Sequence, residues 1–259
     1  MSAELKSTTY GKTLVLTLSN PGHRNALSPE MYAAGVEALS VAESSTEVRS
    51  VILTGEGAMF CAGGSLQRLQ SNRELDPQVQ RQSIEGLHNW IESIMTFPKP
   101  VIAAVEGAAA GAGFSLALAC DFIVAASNAV FVMAYSNVAL SPDGGGSWGL
   151  INSLPRQLAT EILMCGERIN AQQLHALGVV NRVAAAENAL AEALTLAERL
   201  NTRAPNALAS IKELLHNARQ NTLSQQLSQE SDHFVRNLHH ANAGIGIQAF
   251  MNKLPPRYE

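Results

Sequence analysis

The feature that most constrains this sequence is a repeated order of strand, glycine-rich turn and helix. An alternating segment at residues 13–18 and two apolar segments at residues 48–54 and 101–105 predict strands, the first of them within a hairpin. Glycine-rich turns and then helical patterns follow the two apolar segments. Strands that alternate with helices form a largely parallel sheet, and ligands bind at the carboxyl ends of its strands. The order therefore predicts an α/β fold with a ligand site beside the glycine turns.

The sequence predicts helices between these strands and after them. The Ser-Pro-Glu sequence at residues 28–30 is typical of a helix start, because serine caps the first turn and proline fits the first helical position. Helical periodicity also covers residues 77–96, and nearly every segment after residue 146 has a helical composition. The pattern predicts an α/β core over residues 1–200 and a C-terminal helical region over residues 201–259.

Composition and charge exclude several classes of protein. The 259-residue chain is 46% hydrophobic and 15% charged, which allows a substantial core. Its net charge of −4 comes from interspersed acids and bases, so the basic surface of a nucleic-acid-binding protein is missing. Cys61, Cys120 and Cys165 lie far apart, so neither a disulfide framework nor a metal site is predicted. The first eleven residues lack the pattern of a signal or transit peptide, and we expect a cytoplasmic protein.

An apolar stretch at residues 101–126 has the GxxxG spacing of some membrane helices, at Gly107 and Gly111. Glu106 and Asp121 interrupt the stretch, and its many alanines are only weakly hydrophobic. A buried strand, a glycine turn and a core helix explain it better. No association with a membrane is therefore predicted.

Neither glycine turn has the spacing of a nucleotide-binding motif. Residues 107–113 lack the GxGxxG pattern, and GxxxxGK[ST] does not occur. A junction of strand, glycine turn and helix can instead aim free N–H groups at an oxyanion, because the first helical turn has unpaired donors and the positive end of the helix dipole. The alternative is that these glycines serve only tight turns and close packing. The turns taken alone leave both interpretations open.

Several motifs resemble, in order and spacing, those of the crotonase (enoyl-CoA hydratase/isomerase) superfamily over essentially the whole chain. They are NPGHRNALS at residues 20–28, GAMFCAGGSL at 57–66, KPVIAAVEGAAAGAG at 99–113, SPDGGG at 141–146 and FMNK at 250–253. The resemblance implies a crotonase (ClpP-like) spiral of ββα units with a C-terminal helical oligomerisation region. It further implies an acyl-CoA thioester as substrate, so that CoA is part of the substrate and no separate cofactor is needed, and a homotrimer or a dimer of trimers.

The resemblance also assigns roles to single residues. The backbone N–H groups of Gly64 and Ala112 would form an oxyanion hole for the thioester oxygen of an enolate. Ala112 stands where the family usually has glycine, which keeps the N–H group but adds a methyl group. Further substrate-binding positions implied by the resemblance are Arg24, Ala26, Ala62, Ser65, Leu66, Phe250 and Lys253, and Lys253 is expected to reach a neighbouring subunit.

The general acid or base distinguishes this chain from the hydratases that it resembles. The two glutamates of those hydratases correspond to Ser115 and Tyr135, which line the expected acyl pocket without a carboxylate. Serine without a partner is a poor base and tyrosine is mostly protonated at neutral pH, so hydration is disfavoured. Asp143, in Ser-Pro-Asp-Gly, instead resembles the carboxylate of isomerases, above all those of the bacterial phenylacetate pathway. The alternative is that Asp143 only shapes a turn.

The leading hypothesis is an isomerase that moves the double bond of an enoyl-CoA thioester, with Asp143 as acid and base. One alternative is an enoyl-CoA hydratase that uses groups around Ser115 and Tyr135. Another is a catalytically silent paralogue that still binds acyl-CoA. Glu106 and Asp121 are expected to be structural, and the histidines to be structural or solvated rather than metal ligands.

Overall fold

A six-stranded sheet organises the fold in the computed structural model, which describes residues 3–258. Its strands, in spatial order, are β1 (Glu4–Tyr10), β2 (Thr13–Ser19), β3 (Ser50–Gly55), β4 (Val101–Val105), β6 (Phe122–Ala126) and β9 (Arg182–Ala184). The first two strands form an antiparallel hairpin, and all later pairs are parallel. A smaller sheet contains β5 (Ala108–Ala110), β7 (Val130–Val132) and β8 (Arg168–Asn170). Its central strand, β7, pairs parallel to β5 and antiparallel to β8.

The helices connect these strands and then form most of the last third of the chain. The first five helices are α1 (Pro29–Ser44), α2 (Leu66–Asn72), α3 (Pro77–Thr96), α4 (Ala112–Ala119) and α5 (Gly146–Ser153). The later ones are α6 (Arg156–Cys165), α7 (Ala171–Ala176), α8 (Ala189–Asn201), α9 (Pro205–Ala218), α10 (Leu223–Leu238) and α11 (Ala241–Met251). No helix within residues 3–258 is long and apolar enough to cross a membrane.

Both faces of the main sheet are covered, which explains why strands β4 and β6 are apolar throughout. In β3, Val51 and Leu53 belong to the larger core cluster, together with residues of α1 and α3. Ile52, between them in sequence, belongs to a second cluster that includes Ala193 and Leu196 of α8. Side chains along a strand alternate between its faces, so one strand contributes to both clusters.

The long elements agree with the sequence-based expectations. Ser28 caps α1 by accepting a hydrogen bond from the Met31 backbone N–H at 3.4 Å. The predicted helix at residues 77–96 and the predicted strand at residues 101–105 have the observed bounds of α3 and β4. Strand β3 begins two residues later than predicted, at Ser50. Strong hydrophobic periodicity thus predicts the presence of an element reliably, and its first and last residues less reliably.

The sequence-based expectations missed several short elements. The region after residue 146, predicted to be almost entirely helical, also contributes β8 and β9, of three residues each. Such short strands carry too few residues for alternation to be visible, and pairing with strands already in place defines them. Helix α2 directly follows the glycine-rich loop, in a stretch for which no element was predicted, and Ser65 caps it by accepting from the Arg68 N–H.

Glu106 and Asp121 are structural, as predicted. Glu106 Oε1 accepts a hydrogen bond from the Ala189 N–H at 2.7 Å, which holds the start of α8. Asp121 Oδ2 accepts from the Val101 N–H at 2.8 Å and from Lys212 Nζ at 2.7 Å. Burial raises the pKa of Asp121, and the Lys212 charge opposes this. The two carboxylates therefore tie later helices to the core.

The predicted boundary between an α/β core at residues 1–200 and a helical region at residues 201–259 stays a prediction.

Candidate active site

The two glycine-rich segments, which follow β3 and β4, lie side by side. Cys61 forms a parallel bridge with Ala109, and its N–H donates to the Ala108 carbonyl at 3.0 Å. The Ala110 N–H donates back to the Cys61 carbonyl at 2.9 Å. Because Cys61 is fully buried, the pKa of its thiol is raised to about 12, which leaves it an inert packing group. These main-chain bonds fix the two segments against each other.

Glycine is required where the two segments make their closest approach. At Gly63 a Cβ atom would lie 2.6 Å from the Ala110 carbonyl oxygen, and φ is +86°. At Gly113 a Cβ atom would lie 2.6 Å from the Cys61 carbonyl oxygen. Both distances are too short for any side chain. Close packing, one of the two interpretations left open by the sequence, is therefore a real function of these glycines.

The same packing leaves two N–H groups free. Among residues 3–258, no backbone or side-chain acceptor bonds the N–H of Gly64 or of Ala112. Ala112 is the first residue of α4, so its N–H lies at the positive end of that helix dipole. Both residues line one cavity of about 440 Å³. This arrangement can stabilise a negatively charged oxygen that enters the cavity.

A third segment, residues 20–27, holds the first glycine loop from its other side. The Leu27 N–H donates to the Gly63 carbonyl at 2.8 Å, and the Ala62 N–H donates to the Arg24 carbonyl at 3.1 Å. Asn25, buried and at φ 55°, donates through Nδ2 to the Glu56 and Met59 carbonyls at 3.0 and 2.7 Å. Sequence reasoning missed Asn25, although asparagine is favoured at such a left-handed position and bonds nearby backbone groups. Asn25 therefore holds the start of the first glycine-rich segment, at residues 56–59.

Asp143 supplies a carboxylate to the same cavity. Its Oδ1 accepts a hydrogen bond from the Tyr135 hydroxyl at 2.6 Å, and its backbone carbonyl accepts from Ser115 Oγ at 2.9 Å. Burial, and then the Asp143 charge, raise the pKa of Tyr135 far above its usual range. Tyr135 is therefore a hydrogen-bond donor and not a base. The three residues that the sequence singled out for acid–base chemistry thus form one hydrogen-bonded group around Asp143.

The comparisons with known proteins agree with this geometry. The sequence profile of the Enoyl-CoA hydratase/isomerase family matches residues 8–259. The chain belongs to this family. It is 36% identical to the 1,2-epoxyphenylacetyl-CoA isomerase of Escherichia coli K12, and the match covers 95% of this chain and 94% of the relative. It is 35% identical to the carnitinyl-CoA dehydratase of Salmonella typhimurium, and that match covers 99% of this chain and 98% of the relative. A crystal structure of an enoyl-CoA hydratase from Polaromonas sp. JS666 is 71% identical, covers 99% of this chain and 100% of its own, and superposes with a TM-score of 0.98.

Family membership makes the fold a crotonase fold and the ligand class acyl-CoA, as the motifs implied. It does not decide the reaction, because the family contains both isomerases and hydratases. That decision depends on which side chains surround the acyl group.

The cavity brings together some of the predicted site residues and leaves others outside. Those that line it are Ala62, Gly64, Leu66, Ala112, Tyr135 and Asp143. Ser115 lies behind Asp143 and lines an adjoining cavity of about 210 Å³. The Ser65 side chain is used as a helix cap, and Arg24 and Ala26 belong to the supporting segment, where the Arg24 side chain is exposed.

Phe250 and Lys253 do not line the cavity of their own chain. Phe250 is 86% exposed at the end of α11, and Lys253 follows the helix at φ 55°. Their assignment to CoA binding, with Lys253 reaching a neighbouring subunit, stays a prediction.

Three residues that line the cavity had no role in it predicted from the sequence. Tyr32 from α1, Arg68 from α2 and His88 from α3 contribute polar groups to the lining. Their helices approach the cavity from distant parts of the sequence, and α2 itself was not predicted. An amphipathic pattern indicates which face of a helix is buried, but not which polar residue faces a cavity.

Proposed function

We propose that this protein is a double-bond isomerase of enoyl-CoA thioesters with Asp143 as its acid and base. The observation that carries the proposal is the composition of the cavity. Asp143 is the only carboxylate among the described residues that line it, and it shares the cavity with the two free N–H groups. An isomerase needs one group that takes a proton and returns it, whereas hydration needs both a water activator and a proton donor.

The proposed reaction begins with the thioester oxygen of a 3-enoyl-CoA bonded to the N–H groups of Gly64 and Ala112. The Asp143 carboxylate removes a proton from the carbon α to the thioester carbonyl. The electron pair of that C–H bond moves into a dienolate, whose charge on oxygen the two donors stabilise. Asp143, now a carboxylic acid, then gives the proton to the γ carbon, and the 2-enoyl-CoA thioester is formed. No proton, electron or atom is gained or lost over the cycle.

Tyr135 and Ser115 prepare Asp143 for this role. The Tyr135 hydroxyl bonds Oδ1, so Oδ2 is the oxygen that we assign to the proton transfer. Ser115 holds the backbone of the same residue through its carbonyl. Both hydroxyls are thereby committed to Asp143, which argues against the use of Ser115 and Tyr135 to activate water.

A hydratase is the second candidate, favoured by the enoyl-CoA hydratase whose structure is 71% identical to this chain. A direct assay separates the two. We expect 3-hexenoyl-CoA to be converted to the 2-enoyl isomer faster than crotonyl-CoA is hydrated. Rapid hydration of crotonyl-CoA without rearrangement of 3-hexenoyl-CoA would replace the isomerase proposal with the hydratase. Tight binding of both thioesters without turnover would instead indicate the catalytically silent paralogue.

We also propose that the chain assembles as a homotrimer or a dimer of trimers. The C-terminal helices α10 and α11 leave large apolar side chains exposed, among them Leu223 at 74%, Phe234 at 69% and Phe250 at 86%. Apolar surface of this kind is typical of an interface between subunits. Sedimentation velocity at micromolar concentration tests the assembly, and a stable monomer would contradict it.

A further inference from the structure

Arg68 is the cation that faces the interior of the candidate active site. It is the third residue of α2, a helix that starts at the Ser65 cap directly after the Gly64 donor. It lines the same cavity as Gly64, Ala112 and Asp143. A guanidinium beside an otherwise mainly apolar acyl site is a costly feature, because a buried charge needs partners.

The protein supplies few partners to this guanidinium. Nε of Arg68 is buried and bonds no acceptor within residues 3–258, and Nη2 reaches the Tyr32 hydroxyl only at 3.5 Å. No carboxylate of the described chain lies within ion-pair distance of it. Glu30 has its pKa lowered mainly by a hydrogen bond with Ser28 and only weakly by the Arg68 charge. The planar edge of Arg68 is thus left with one long hydrogen bond and an unpaired Nε.

Two other polar side chains of the lining already have partners. Gln80 Oε1 accepts a hydrogen bond from Asn72 Nδ2 at 2.7 Å, and the Tyr135 hydroxyl is bonded to Asp143. Tyr32 is buried, and burial raises its pKa, whereas the hydrogen bond from Arg68 and the Arg68 charge oppose this rise. Its hydroxyl is therefore a neutral donor beside Arg68. Arg68 and Tyr32 together present N–H and O–H donors to whatever occupies this part of the cavity.

A carboxylate is the group that best fits these donors. A guanidinium presents two parallel N–H groups, which match the two oxygens of a carboxylate, and a neutral phenol adds a third donor. We propose that Arg68, assisted by Tyr32, selects acyl-CoA thioesters whose acyl group carries a second carboxylate, as in monothioesters of dicarboxylic acids. The proposal rests on the proposed function only in that the acyl group occupies this cavity.

Binding of unreactive saturated thioesters tests the proposal independently of the isomerase chemistry. The probes are succinyl-, adipoyl- and suberoyl-CoA, each compared by calorimetry with butyryl-, hexanoyl- or octanoyl-CoA of the same chain length. We expect at least one dicarboxylic member to bind wild-type protein about 10- to 100-fold more tightly than its fatty counterpart, the range for a charge-assisted hydrogen bond. Arg68→Met should abolish that preference without weakening the fatty thioester, and Arg68→Lys should keep part of it.

Arg73→Met is the matched control, because Arg73 directly follows the same helix as its C-cap, is exposed and does not line the cavity. It should leave the preference unchanged. If wild-type protein prefers the fatty thioester at every length, the proposal is wrong whatever the variants do. It is also wrong if Arg68→Met weakens both thioesters equally, since Arg68 would then support Asp143 or the cavity shape. If the wild-type protein shows no isomerase activity but still binds a dicarboxylic thioester more tightly than its fatty counterpart, the proposed function is wrong and this inference stands.

Discussion

The cavity has two walls that hold their functional groups in different ways. The donor wall, residues 61–64 and 108–113, presents main-chain N–H groups fixed by bridges and by glycines packed against carbonyl oxygens. The acid wall, Tyr135 and Asp143, presents side chains joined by a hydrogen bond. A main-chain donor persists when its residue changes, whereas a side-chain acid is lost with its residue. The donor wall can therefore remain constant across a family while the acid wall determines the reaction.

Removal of the Asp143 carboxylate should have the largest effect on catalysis. Asp143→Asn keeps the size of the side chain and its ability to accept from Tyr135, but it deletes the proton acceptor. Isomerisation of 3-hexenoyl-CoA should fall about 100- to 10,000-fold, the usual contribution of a general acid–base group. Thermal stability and thioester affinity should change little.

Asp232→Asn is the control for this change, since Asp232 is an exposed carboxylate on α10. Steady-state kinetics should not distinguish it from wild type. If Asp143→Asn retained activity within a few-fold, Asp143 would only shape its turn, and the acid wall would have to contain another proton acceptor.

Disruption of the donor wall should have the next largest effect. Gly63→Ala places a Cβ atom 2.6 Å from the Ala110 oxygen and 3.3 Å from the Ala112 nitrogen, so the two segments must move apart. We expect kcat to fall about 10- to 100-fold, less than the 100- to 1000-fold typical of a deleted oxyanion donor. A loss of about 1–3 kcal/mol in the free energy of unfolding should accompany it.

Gly57→Ala separates backbone strain from displacement of the donors. Gly57 has φ +70° but open space around its Cβ position, so alanine there is strained without a clash. It should cost stability while kcat stays near that of wild type. An equal loss of kcat in both variants would mean that strain alone, and not the separation of the donors, reduces the rate.

The two walls also differ in how far the sequence predicts them. The Gly64 and Ala112 donors could be located from motifs, because glycine turns leave a local trace in the sequence. Asp143 was located in the same way, but its bond to Tyr135 and the role of Ser115 required the fold. Arg68 was missed because α2 is short and its approach to Tyr32 joins separate helices. Local chemistry is thus visible in sequence, and contacts between distant segments are not.

The bond between Tyr135 and Asp143 should have an intermediate effect. Tyr135→Phe removes a charge-assisted donor to Oδ1, and we expect kcat/KM to fall about tenfold, because the carboxylate loses its fixed orientation. Burial, followed by the Asp143 charge, raises the pKa of Tyr135, so the wild-type phenol stays protonated well into the alkaline range. The wild-type rate should therefore show no decline attributable to Tyr135 between about pH 8 and 10.

Tyr10→Phe, at an exposed tyrosine on β1, is the matched control and should have no effect on kcat/KM. An alkaline decline in the wild-type rate that disappears in Tyr135→Phe would show that Tyr135 ionises during catalysis. It would then be a titrating member of the acid wall and not a fixed donor.

The smallest effect should come from Ala112→Gly, which restores the residue usual in the family at one donor. Because the donor is a main-chain N–H group, the hydrogen bond to the thioester oxygen remains, and only the methyl group in the cavity is lost. Glycine would also loosen the first turn of α4, by roughly 1 kcal/mol at an interior helical position and less at a first position. We expect kcat to stay within about threefold of wild type. A tenfold or larger change, measured with 3-hexenoyl-CoA, would show that the Ala112 methyl group positions the substrate, and the donor wall would then also contribute to selectivity.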